Sequence, residues 1–171
     1  MATEEGIAMI SHLNFSSFLD RIVQNLKLTP KKLLKWYSYV LIFVPLACAA
    51  LVGLHLVTSA TTFSNLLKNQ AGLAVGVIIA LCDLIIGYFC LLNLEIFYKR
   101  KTYRVFMVTQ VITQALVGNF MCVIMAILGI YLSQELPNEK QINLKAKLVI
   151  NLGTALLLLS FVLLVIIEFK K

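Results

Sequence analysis

Polar and apolar residues do not alternate along most of this chain; they separate into blocks. After a mixed stretch ending at Lys35 come four long apolar runs, at 36–57, 73–98, 103–132 and 144–169, divided by short polar segments. A hydrocarbon core about 30 Å thick is crossed by roughly 20 apolar residues in a helix. Within lipid a helix also satisfies its own backbone hydrogen bonds. The pattern therefore predicts an all-α membrane protein, a four-transmembrane-helix bundle over 33–171 preceded by a cytoplasmic arm over 1–32. Pro45 falls inside the first run, where it removes a backbone donor and predicts a kink. The third and fourth runs exceed the length needed, which predicts tilt or ends projecting into water.

The mixed stretch has a period of its own. Phe15, Phe18, Leu19, Ile22, Val23 and Leu26 recur at helical spacing, opposite Ser17, Asp20, Arg21, Gln24 and Lys27. Asn14 can cap such a helix, and Pro30 ends it before Lys31 and Lys32. The prediction is an amphipathic helix in the headgroup layer. Phe15, Phe18, Leu19, Ile22 and Leu26 then face lipid, with Lys31 and Lys32 at the membrane surface. A passive anchor and a docking or gating element both fit this pattern.

Composition and charge fix the setting. The chain is 60% hydrophobic and 13% charged, with a mean hydropathy of +0.91. A soluble domain carries roughly a quarter of its residues as charges. A chain of this size also has too much surface for its volume to hide so much apolar side chain. The net charge is +7, and its distribution is that of a membrane protein. Of the 15 Lys and Arg, Lys68, Lys140, Lys145 and Lys147 fall on one side of a four-span arrangement; the rest precede the first run, occupy 99–104 or end the chain. The excess of basic residues marks the cytoplasmic side. The expectation is thus two cytoplasmic termini, with Trp36, Tyr37, Tyr39, Tyr98 and Tyr103 as an aromatic belt. Nucleic acid is not an expected partner, because the positive charge serves topology. The turn Phe97-Tyr98-Lys99-Arg100-Lys101 resembles that of some small bacterial membrane proteins of uncharacterised function, and a bacterial plasma membrane is the favoured compartment.

The candidate chemistry lies in the few polar residues within the runs. Asp83 stands near the middle of the second run, where a carboxylate costs about 2.5–3.5 kcal/mol on insertion scales. Gly72, Gly76, Ala80, Asp83, Gly87 and Cys90 share one helical face, a small-residue stripe that permits close approach of another helix. In the third run, Ala115, Asn119, Cys122 and Ala126 form a comparable face. Asn119 is the preferred partner of Asp83, with Thr154 of the fourth run at a similar level. Gln110 and Gln114 lie on a second face with Met107, Gly118, Met121 and Met125, fit for self-association or for a wet cavity. An Asp83 without a cation in this chain is protonated, binds a cation, or meets a basic residue from another polypeptide.

Cys48, Cys82, Cys90 and Cys122 show no metal-ligand or redox spacing. No catalytic, nucleotide-binding or metal motif is found, so no catalytic residue, metal or cofactor is assigned and an enzyme is not expected. Two functions remain. The first is a non-enzymatic accessory or self-assembling subunit acting through helix contacts, whose partners are the bilayer and either its own copies or another membrane protein. The alternative is a small oligomeric transporter or channel using Asp83 as its proton or cation site.

Overall fold

The computed structural model describes residues 17, 19–59, 62–138 and 141–169, and all regular structure among them is helical. Residues 19–25 form a short helix, α1. It is followed by α2 (Pro30–Ser59), α3 (Phe63–Asn69), α4 (Ala71–Leu92), α5 (Leu94–Phe97), α6 (Arg100–Leu116), α7 (Phe120–Leu132) and α8 (Leu144–Phe169), with a 3-10 turn at Ser133–Glu135. Among the described residues, α2, α4 and α8 are long and apolar enough to cross a bilayer. The chain is therefore a multi-pass, all-α membrane protein.

The third apolar run departs from its prediction: it is two helices, not one over 103–132. α6 stops at Leu116, Gly118 adopts a φ of +80°, and α7 starts at Phe120. Glycine enters this left-handed region without the steric penalty of a side chain. Asn119 then caps α7, its side-chain oxygen accepting from the Cys122 N–H at 3.4 Å. The chain reverses here, and α6 and α7 pack antiparallel as a hairpin. A Cβ built on Gly129 would lie 2.8 Å from the Met107 sulfur, whereas one straight helix would hold these residues about 33 Å apart. The Arg100 N–H donates to the Pro137 carbonyl at 3.0 Å, which ties the two open ends of the hairpin together.

These contacts gather several segments at one end of the bundle, here called the basic end. Tyr103 donates its hydroxyl to the Pro30 carbonyl at 3.2 Å, which brings the start of α6 to the start of α2. The Asn143 N–H donates to Thr102 at 3.4 Å, which brings in the start of α8. From there α2 runs to the far end, α4 returns, and α8 runs to the far end again. The hairpin enters and leaves at the basic end, with α7 against α2 and α6 against α8.

The core fills the basic half. Tyr37, Phe97, Tyr103 and Phe106 are fully buried. Phe97 and Phe106 have ring centroids 4.8 Å apart, and Tyr37 meets Phe106 edge-on at 6.1 Å. Two residues predicted for an aromatic belt, Tyr37 and Tyr103, are thus core residues, because the hairpin surrounds them with protein. Trp36 and Tyr39 remain exposed.

The hairpin also changes the arm. Leu19, Leu28 and Leu33 pack with Leu128 and Leu132 of α7, flanked by half-buried Ile22 and Val23. Tyr131 donates a hydrogen bond to Asp20. Leu19 and Ile22 therefore meet protein where lipid was predicted, while Leu26 stays exposed. Lys31 and Lys32 are exposed, their amines over the rings of Tyr98 and Trp36 at 4.8 and 5.2 Å. Phe15 and Phe18 lie outside the described residues.

Candidate functional site

The site is built by where α2 and α4 touch and where they part. At Gly87 they touch: a Cβ there would stand 2.9 Å from both the Leu41 Cβ and the Ser38 carbonyl oxygen. Only a residue without a side chain permits that approach. Cys90, one turn further toward the basic end, is buried in the same core. In the other direction the contact opens. Nothing lies within 4 Å of a Cβ built on Gly76 or Gly72. The predicted stripe is therefore a tight helix contact in one half and an open face in the other.

The open half is a cleft of about 750 Å³, walled by α2 over 44–56 and α4 over 73–84. The hairpin tip, Val117, Gly118 and Asn119, also lines it, together with Asp83. The walls are almost wholly apolar, Gly76 and Ala80 among them, and no Lys or Arg lines them. Cys48 also lines the cleft.

Asp83 is 4% exposed. Gln114 donates its side-chain N–H to Asp83 Oδ1 at 2.7 Å. One turn earlier, Gln110 accepts from the Tyr37 hydroxyl at 2.8 Å. The two glutamines thus do share a face, but that face looks into the protein's own core. Gln114 itself is fully buried, and its Oε1 has no hydrogen-bond partner among the described residues. The predicted partner Asn119 is not the partner found. The turn at 117–119 puts Gln114, in the last turn of α6, level with Asp83, and leaves Asn119 capping α7 at the cleft wall. Thr154 donates to the Ile150 carbonyl of its own helix at 2.6 Å and does not join the network. Cys122 and Ala126 are fully buried in the core, whereas Ala115 is exposed.

The sequence pattern missed two parts of this site. One is Tyr37, whose place near the first basic cluster suggested the headgroup layer. The other is the hairpin tip. Its signal was present: a run of 30 residues where about 20 suffice, with a Gly-Asn pair at its centre. Among the described residues no group of three or more His, Cys, Asp or Glu could hold a metal ion. At the basic end, burial and the neighbouring Glu95 raise the pKa of the Tyr98 phenol above its ordinary value, which keeps the ring neutral beneath the Lys31 amine. Comparison with known proteins finds no matching protein family, curated protein or solved structure.

Proposed function

We propose that this protein is a small membrane transporter whose ligand site is the cleft, with Asp83 as the group that exchanges a proton or cation. The observation that carries the reading is a buried acid, Asp83, lining an otherwise apolar cleft of about 750 Å³. Pockets for small organic ligands span about 300–1,000 Å³. Non-helical backbone at membrane depth is tolerated where it is buried in protein or lines a cavity, and residues 117–119 line this one. Broken helices whose ends meet inside the bilayer are also how many transporters build their substrate sites. Gln110 and Gln114, which would otherwise be offered to a partner protein, each make a hydrogen bond within the chain, to Tyr37 and to Asp83.

The same reading sets an orientation. Among the described residues, Arg21, Lys27, Lys31, Lys32, Lys35, Lys99, Arg100, Lys101, Arg104, Lys145 and Lys147 stand toward the basic end, against Lys68 at the far end. The positive-inside rule then makes the basic end cytoplasmic. Three crossings carry the C-terminal end of α8 to the outer side, in place of two cytoplasmic termini.

Proteoliposomes with a pH-sensitive dye in the lumen, challenged with small organic solutes in turn, test the transport reading. Wild-type protein should couple at least one solute to proton movement, and Asp83→Asn should abolish the signal because an amide of the same shape cannot ionise. Dye responses equal to those of empty liposomes for every solute would sink it. A second reading, an accessory or self-assembling subunit, is supported by the open small-residue face at Gly72 and Gly76, which suits a docking helix. Gly76→Leu should then break a complex captured by crosslinking in the native membrane.

A further inference from the structure

We infer that the cleft takes a lipophilic organic monocation, an assignment that rests on the cleft being the ligand site. The charge, the walls and the volume restrict the occupant together. An anion would meet the Asp83 carboxylate with no Lys or Arg in the lining to offset it. A metal ion would exchange its hydration shell for one carboxyl and apolar walls, and no cluster of three ligating groups exists among the described residues. A neutral apolar molecule would seal a carboxylate away from water without a counter-charge, so its binding carries the added cost of protonating Asp83.

A single positive charge on an apolar body meets each of these demands. Gln114 engages Oδ1, whereas Oδ2 has no partner among the described residues and is not sealed inside the protein. That oxygen is the contact for the cation. Attraction between unit charges strengthens as the local dielectric falls, and the apolar walls match an apolar body. A volume of about 750 Å³ admits a body with several rings or a branched chain and is far larger than a bare ion needs. One carboxyl on the cleft matches one charge, so a dication is disfavoured.

Two substitutions separate the charge from the space. Asp83→Asn keeps an oxygen for the Gln114 amide and removes the ionisable group. Gly76→Phe places a ring on the cleft wall, at a position where a Cβ meets nothing within 4 Å. The experiment is equilibrium binding to the protein in lipid nanodiscs, against empty nanodiscs, with three probes: tetraphenylphosphonium, the neutral triphenylphosphine oxide and the anion tetraphenylborate. The expected result is saturable binding of the phosphonium alone, weakened at least tenfold by Asp83→Asn and by Gly76→Phe. A detergent melt unchanged in Asp83→Asn shows that the loss is not one of fold. Phosphonium binding indifferent to Asp83→Asn overturns the inference. Equal binding of phosphonium and oxide, both blocked by Gly76→Phe, overturns the cation class and leaves the cleft as the ligand site. Absence of saturable binding by all three probes overturns the cleft as a ligand site, and the inference with it.

Discussion

Among the described residues, Gln114 makes the one side-chain hydrogen bond to Asp83, and removing it tests how that acid is tolerated. Gln114→Leu leaves a buried carboxyl without its donor, which costs about 1–3 kcal/mol, more if the acid is charged. Asp83→Asn keeps an acceptor and should melt near the wild type. Replacing both residues by leucine removes both polar groups and should recover part of the loss. Melting in detergent orders the three variants, and a Gln114→Leu protein as stable as wild type would remove the bond from the account. Asp83 itself was legible in the sequence, since an acid within a long apolar run stands out. Its partner was not, because depth counted along a straight third helix matches Asp83 to Asn119. A residue's depth is a property of the path its helix takes.

At the scale of elements, the hairpin and the α2–α4 contact organise the molecule. Gly72, Gly76 and Gly87 look alike in the sequence, one stripe at helical spacing. The structure separates them: Gly87 abuts the Leu41 Cβ and the Ser38 carbonyl at 2.9 Å, while Gly76 faces open space. Gly87→Leu should therefore lower stability by about 1–3 kcal/mol through overpacking, and Gly76→Leu should leave the melting temperature nearly unchanged. Equal effects of the two would contradict the divergence of α2 and α4. The amphipathic period of α1 was legible as well. Its direction was not, since lipid and the face of α7 offer Leu19 and Ile22 equally apolar surroundings.

For the whole molecule the decisive quantity is the number of crossings. A hairpin that enters and leaves at one end puts Lys101 and Asn138 on the same side of the membrane, and Lys68 on the other. Cysteines introduced at these positions and probed with a membrane-impermeant thiol reagent should label in that grouping. A tag placed after Lys171 should report with Lys68. If Asn138 labels with Lys68 instead, the third run crosses the membrane and the hairpin is lost. The prediction follows from a fold in which α2, α4 and α8 are each long enough to cross, while α6 and α7 have 17 and 13 residues.

The sequence by itself determined that this protein lives in a membrane as helices, that its basic residues cluster, and that Asp83 is its anomalous polar residue. Those properties are sums over local composition, and hydropathy, backbone satisfaction and charge act on them without regard to distant contacts. Only the tertiary structure decided that the third run folds back, that Gln114 meets Asp83, and that half of a glycine stripe faces a cleft. A helical run in lipid satisfies its backbone equally well as one long helix or as two packed against neighbours. The choice is made by what surrounds it: a glycine free to take positive φ, a cap for the second helix, and a gap between α2 and α8 that the hairpin fills.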